Sequence, residues 1–359
     1  MDTPNLSTLP LDKCHFNLIG EGAANLVFEV VPDPQVVIDE KVKSIIHGNL
    51  LRVPKAGTKA HTHPELQQYW ETTISPHFNP SNLVQQRLVK LGGPTVISRL
   101  NSALHQEFET RRHDFKGTRV ADVEYGMLVE DMRAKSPASI LALEFKPKWL
   151  AQSPNAPTKA VRCRTCAREA LRSHKKGKPK VTPCPLDFIV CNGSNSNISS
   201  SFSSTLDGSP PTKAAVTFTS EQKKQSISSI LTSILAPSPL ATSLSPDPRL
   251  VSWIQTNTLL PSLRQAQLDN DTTGPLDPKS KPEQLALAMT LRDCSVYLRV
   301  PTDPNAKVEA KLGDLDKKDV GQKLEYWREM ETELIQGGYY EGTEKPRQKT
   351  NCVIERLGQ

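Results

Sequence analysis

The chain has 359 residues, with 36% apolar and 23% charged residues, 29 prolines and a formal net charge of +6. That length supports one large domain or two lobes, each with its own core, and excludes a small disulfide-stapled fold. Met1 to Leu11 has no basic segment leading into an apolar core, and nowhere do 18 apolar residues run together, so neither a secretory signal nor a membrane span is expected. The seven cysteines are then expected as reduced thiols, and the nucleus, the cytoplasm or both as the location.

In chain order, Phe16–Gly20 and Leu26–Val31 read as strands joined by the tight turn Gly20-Glu21-Gly22-Ala23-Ala24-Asn25, and Leu51–Val53 as a third strand. Apolar spacing predicts helices over Pro64–Thr73 and Pro94–Phe108, each opened by a proline suited to the first turn. Tyr125–Val129 and Ile140–Phe145 follow as strands, then Arg164–His174 as a basic helix. Thr219–Leu235 and Gln322–Gln336 read as further helices, and Val296–Val300 as a strand after the apolar run Leu287–Leu291. This gives an α+β chain with a small N-terminal lobe over 1–133 and a larger C-terminal one over 134–359. Disordered Asn, Ser, Gly and Pro insertions are expected at about 192–212 and 269–282.

Charge placement says more than net charge. Lys146, Lys148, Arg162, Arg164, Arg168, Arg172, Lys175, Lys176, Lys178 and Lys180 fall within 35 residues, a composition suited to a polyanion. The small residues of the 20–25 turn allow backbone amides close to phosphate oxygens, and Arg52, or Lys55 beside it, offers a cation nearby. Lys146 and Lys148 flank a proline at a strand end, which fixes two ammonium groups at one spot. Asp293, between an apolar run and a strand, suits a Mg²⁺ ligand at the mouth of a cleft.

Taken together, residues 20–27, Leu51-Arg52-Val53, Glu144-Phe145-Lys146-Pro147-Lys148, Pro185-Leu186-Asp187, Arg292-Asp293-Cys294-Ser295 and Asp314-Leu315-Asp316-Lys317-Lys318 resemble the motifs of the inositol-pentakisphosphate 2-kinases. The low-complexity insertions resemble the fungal branch of that family. The resemblance implies a two-lobed inositol-polyphosphate-kinase fold distantly related to protein kinases, with ATP between the lobes. The implied reaction is phosphorylation of the 2-hydroxyl of inositol 1,3,4,5,6-pentakisphosphate to the hexakisphosphate, phytate. It further implies Lys146 and Asp293 as catalytic residues, with Mg²⁺ on Asp293. Gly20, Glu21, Gly22, Ala23, Ala24, Asn25, Arg52, Asp131 and Met132 would serve the nucleotide, and Lys148, Arg164, Arg172, Lys318 and Tyr326 the substrate phosphates. The family's arginine four residues beyond Lys318 falls on Gln322 here, with Lys323 beside it to take that duty.

Cys163 and Cys166 form a C-x₂-C pair with His174, Cys184 and Cys191 downstream, which leaves structural zinc and ordinary reduced thiols both open. Two further function classes compete: a nucleic-acid-binding protein using the basic run 172–180, and a catalytically inactive inositol-phosphate scaffold. The first leaves the glycine turn, the Lys-Pro-Lys pair and Asp293 without a task, so the expected partner is the inositol phosphate. A monomer, with neither nucleic acid nor membrane as partner, is the expected state.

Overall fold

The computed structural model describes residues 9–59, 61–134, 139–178, 182–192, 218–236, 247–277 and 279–357. Its contacts divide the chain into two compact units, Met1–Arg133 and Ala134–Gln359.

The first unit is built on an antiparallel sheet. Its elements are β1 (Cys14–Glu21), β2 (Asn25–Pro32), α1 (Glu40–His47), β3 (Asn49–Pro54), α2 (His63–Tyr69), β4 (Gln86–Lys90), α3 (Pro94–Gln106) and β5 (Tyr125–Glu130), with strand order β1-β2-β3-β5-β4. Along β2 the residues Leu26, Phe28 and Val30 are buried while their neighbours are partly exposed, the period of two that puts one face of a strand into a core. Leu51, Val53, Leu128 and Leu100 of α3 complete that core, and burying each such leucine contributes roughly 1.5–3 kcal/mol. Helix α2 starts where Thr62 and Glu65 form a reciprocal cap with Pro64 in the first turn. Helix α1 and strand β4 have no counterpart in the sequence expectations: α1 is short, and β4 is a five-residue edge strand with little alternation.

The second unit carries a smaller antiparallel sheet among helices. In chain order it contains β6 (Ser139–Phe145), α4 (Arg164–Lys176), α5 (Asp187–Cys191), α6 (Ser220–Leu235), α7 (Pro248–Thr256), α8 (Leu259–Asp269), α9 (Pro282–Asp293), β7 (Ser295–Pro301), β8 (Glu309–Gly313), α10 (Val320–Gln336) and α11 (Val353–Leu357). The strand order is β6-β7-β8. The run Leu287–Leu291 lies inside α9, whose residues 285–292 are all buried. A helix apolar on every side belongs inside a core, and this one ends on Asp293.

The expected disordered insertion at 269–282 is corrected where it is described. Residue 269 closes α8, Pro282 opens α9, and between them Asp271 is buried, accepting from Arg292 at 2.5 Å and from the Gly274 amide at 2.8 Å. Its Gly, Pro and Asp content reflects turn-making, and a buried ion pair holds the turn in place. From residue 193 onward the other expected insertion lies outside the described residues, as does Lys180. Among the described residues no helix is long and apolar enough to cross a membrane.

Candidate functional site

Three chain segments converge at one end of the smaller sheet. As β6 runs out, Lys146 and Lys148 leave it on either side of Pro147; α9 ends at Asp293, and β8 gives way to Asp314. Lys148 and Asp314 adopt the left-handed conformation, with φ of 57° and 54°, the non-glycine residues that do so among those described. That backbone costs about 1–2 kcal/mol per residue for an L-amino acid, and such strain concentrates where geometry serves function. The Lys146 ammonium donates to the Asp293 carbonyl at 2.6 Å and to the Asp314 carboxylate at 2.7 Å. Lys148 reaches one oxygen of the Asp293 carboxylate at 3.2 Å and Lys318 the other at 2.9 Å.

The electrostatics follow from that bracket. Partial burial works against the charge of Asp293, but Lys318 and then Lys148 override it and hold its carboxyl down at about 2. Burial likewise opposes the charge of Lys146, and Asp314 outweighs it, so the ammonium holds its proton more tightly than usual. At Lys148 desolvation wins over the attraction of Asp293, and the nearby Lys146 and Arg168 add to the downward shift.

Beside Asp293 lies a basic bowl lined from α4 and α10. Arg164 and Arg168 stand one helical turn apart on α4, and Lys323, Tyr326 and Trp327 share a face of α10. The indole of Trp149, in the lining, has two guanidinium groups within cation–π reach, Arg292 at 3.5 Å and Arg164 at 4.3 Å from its ring centre. Both arginines are buried and already compensated, Arg164 by Glu331 at 2.8 Å and Arg292 by Asp271. Lys148, Arg168, Lys318 and Lys323 remain, four cations against the single Asp293 carboxylate in the lining. Arg168 shows the crowding: burial, then Arg172 and Arg164, lower its proton affinity, and its contact with the Tyr326 hydroxyl at 3.2 Å only partly offsets this.

Not every expected substrate contact joins this bowl. Lys148, Lys318, Tyr326 and Arg164 do, Arg164 with its guanidinium committed to Glu331. Arg172 stands one turn beyond Arg168, outside the bowl's lining, and pairs along its own helix with Glu169 at 2.7 Å.

In the first unit, Gly20–Asn25 forms the β1–β2 hairpin, closed by a bond from the Gly22 amide to the Asn25 carbonyl at 2.9 Å. Arg52 on β3 lies opposite Val27 of β2, one strand from that turn. The Glu21 carboxylate accepts from Arg111 at 2.8 and 2.9 Å and from Thr118 at 3.1 Å, and pairs with Lys55 at 2.7 Å. Lys55 is only 3% exposed, with its ammonium 3.6 Å from the centre of the Phe115 ring, so it is structural and not a competitor of Arg52 for phosphate. Asp131 is buried against Arg133, which also reaches Glu29 at 2.8 Å, and Met132 is buried beside it.

Comparison with known proteins bears on this arrangement. The family model described as inositol-pentakisphosphate 2-kinase matches residues 19–333. The chain belongs to that family. A curated relative, the inositol-pentakisphosphate 2-kinase of Yarrowia lipolytica, is 32% identical over 214 residues. That similarity spans 59% of this chain and 56% of the relative's length.

This member of the inositol-pentakisphosphate 2-kinase family also brings four cysteines together. The sulfurs of Cys163, Cys166, Cys184 and Cys352, all buried, lie within 4.8 Å of one another. The separations of Cys163 from Cys184 and of Cys184 from Cys352, 3.6 and 4.0 Å, are close to the roughly 3.8 Å edge of a tetrahedron with ~2.3 Å zinc–sulfur bonds and far beyond a disulfide bond. Burial opposes ionisation of Cys352, yet hydrogen bonds from the other three thiols and from the Cys163 amide bring it well below the usual thiol range. His174 and Cys191 are corrected as ligands: His174 bonds the Tyr339 hydroxyl at 2.7 Å, and Cys191 faces the Lys223 carbonyl.

Several residues of the site escape a reading of the sequence. The fourth cysteine lies 168 residues beyond Cys184, with no local spacing to announce it. Trp149, Arg292 and Asp314 are adjacent to or inside the quoted motifs, but only folding reveals their contacts. Arg168 carried a usable signal, its place one turn after Arg164 on a helix rich in arginine.

Proposed function

We propose that this protein transfers the γ-phosphate of ATP to the 2-hydroxyl of inositol 1,3,4,5,6-pentakisphosphate, giving the hexakisphosphate. The observation that carries the reading is an ionised Asp293 set between lysines at the rim of a bowl whose cations outnumber its carboxylates. Five phosphomonoesters carry roughly −8 to −10 charges at neutral pH, and family membership supports a substrate of that kind. Lys318, Lys323, Arg168 and Tyr326 would hold substrate phosphates, while Lys148 serves both the substrate and Asp293. Phosphoryl transfer needs positioning and charge neutralisation more than covalent help from the protein. Asp293 orients the attacking hydroxyl and accepts its proton as the phosphoryl group moves, and Lys146 turns from Asp314 toward the transferring oxygens. The hard oxygens of Asp293 and Asp314 fit Mg²⁺, which when bound would neutralise charge on the phosphates.

The first unit supports a kinase-like nucleotide lobe: a small-residue hairpin for the phosphates, Arg52 one strand away, and the Asp131–Met132 backbone for the base. The cysteine cage suits a structural Zn²⁺, since four buried sulfurs with no open position leave no room for substrate.

Incubation with ATP, Mg²⁺ and the pentakisphosphate, followed by anion-exchange separation, tests the proposal. Wild type should form the hexakisphosphate. Asp293→Asn and Lys146→Met should lower kcat by a factor on the order of 10² or more, as expected for loss of a proton acceptor or a charge-stabilising group. Binding of the pentakisphosphate without any product would favour the scaffold reading.

A further inference from the structure

Gln267 lies on α8, is 1% exposed, and is not part of the bowl's lining. Its carboxamide nevertheless spans the two segments that bear the central charges. The side-chain oxygen accepts the Leu150 amide at 3.0 Å, and the side-chain nitrogen donates to the carbonyls of Lys148 at 2.9 Å and Leu291 at 3.1 Å. Leu150 N–H can only donate and the two carbonyls can only accept, so the amide has a single orientation that satisfies all three. One of these carbonyls belongs to the last turn of α9, where helix carbonyls lack intrahelical partners; the other belongs to Lys148 itself, held in its left-handed conformation.

We propose that Gln267 is a positioning residue for phosphoryl transfer. It fixes the end of β6 to the end of α9, so that the Lys148 ammonium meets the Asp293 carboxylate, residues 145 positions apart in the sequence. This rests on the reading of Lys148 and Asp293 given above. The Leu291 carbonyl also receives the Cys294 thiol at 3.2 Å, so loss of Gln267 bears chiefly on Lys148 and Leu150. The side chains of Arg168, Lys323 and Tyr326 project from α4 and α10 and do not depend on this amide.

The test compares wild type with Gln267→Met, which retains bulk without hydrogen bonds, and Gln267→Glu, which retains the acceptor for Leu150 but cannot donate to both carbonyls at once. Steady-state kinetics, calorimetric affinity for the pentakisphosphate and melting temperature are read on each full-length protein. The expected result is a fall in kcat of tenfold or more that exceeds the loss of affinity at least threefold, some loss of affinity following from the share of Lys148 in holding substrate. If the Met variant does not fold, the Glu variant decides. An active wild type with variant kcat within twofold overturns the positioning role, as does a parallel loss of kcat, affinity and melting temperature, which would mark ordinary structural support. A wild type that phosphorylates no inositol phosphate removes the reading of the site, and the role of Gln267 with it.

Discussion

Glu21 and Asp293 are both held at about 2 in proton affinity, to different ends. Asp293 is half exposed, with Lys148 and Lys318 on its two carboxylate oxygens. The Glu21 side chain is only 8% exposed, and although desolvation pushes its carboxyl upward, Arg111, Lys55 and Thr118 overcome that push. A depressed carboxylate adds stability that is present above its unfolded value near 4.5 and lost as pH falls toward about 2. Urea midpoints measured from pH 5 down to pH 2.5 should therefore fall more steeply for wild type than for Glu21→Gln, which should already be weaker at pH 7; parallel curves would remove the argument. The sequence marks Glu21 by its place in the glycine turn. It cannot mark Arg111, 90 residues away, because only the folded chain brings that guanidinium to the hairpin.

Elements with strong apolar periods were the legible part of the fold: the β1–β2 hairpin, α3, α4 and α10 stand within a few residues of where their patterns put them. Helix α8 has no clear period because Leu259 to Asp269 mixes apolar residues with proline and glutamine, and α9 has none because a helix buried all round has no polar face to set it. Packing of the elements is also where substitution should be costly. On β5, a Cβ at Gly126 would stand 2.8 Å from Leu91 and 2.9 Å from Leu51, so Gly126→Val should destabilise the first unit by about 1–3 kcal/mol, as overpacking does. Asp271→Asn leaves the Arg292 charge buried without its anion and should cost about 3–5 kcal/mol. Denaturant titration followed by circular dichroism reads both; midpoints unchanged from wild type would show that these contacts are dispensable.

At the scale of the whole chain, charge placement makes the clustering of cations legible, but not how folding partitions them. Two of the bowl's arginines are spent on Glu331 and Asp271, a distinction that burial alone creates. A metal held by the four cysteines would join segments at 163–166, 184 and 352, closing loops whose entropy an unlinked chain would keep. Removal of a bound metal by a strong chelator should therefore lower the melting temperature, with zinc recovered in the dialysate, while Cys352→Ser should lower both metal content and melting temperature without chelator. Equal melting temperatures with and without chelator would argue for four plain thiols. The bowl has one more use. Of the four tryptophans in the chain, Trp149 and Trp327 line it, while Trp253 packs on Phe145 elsewhere in the same unit. An indole close to two guanidinium groups is an emitter placed in a strong local field, so arrival of a polyanion in the bowl should change its fluorescence. A fluorescence titration with the pentakisphosphate in the absence of ATP would therefore test binding apart from turnover, and an unchanged spectrum at saturating ligand would speak against capture in this bowl.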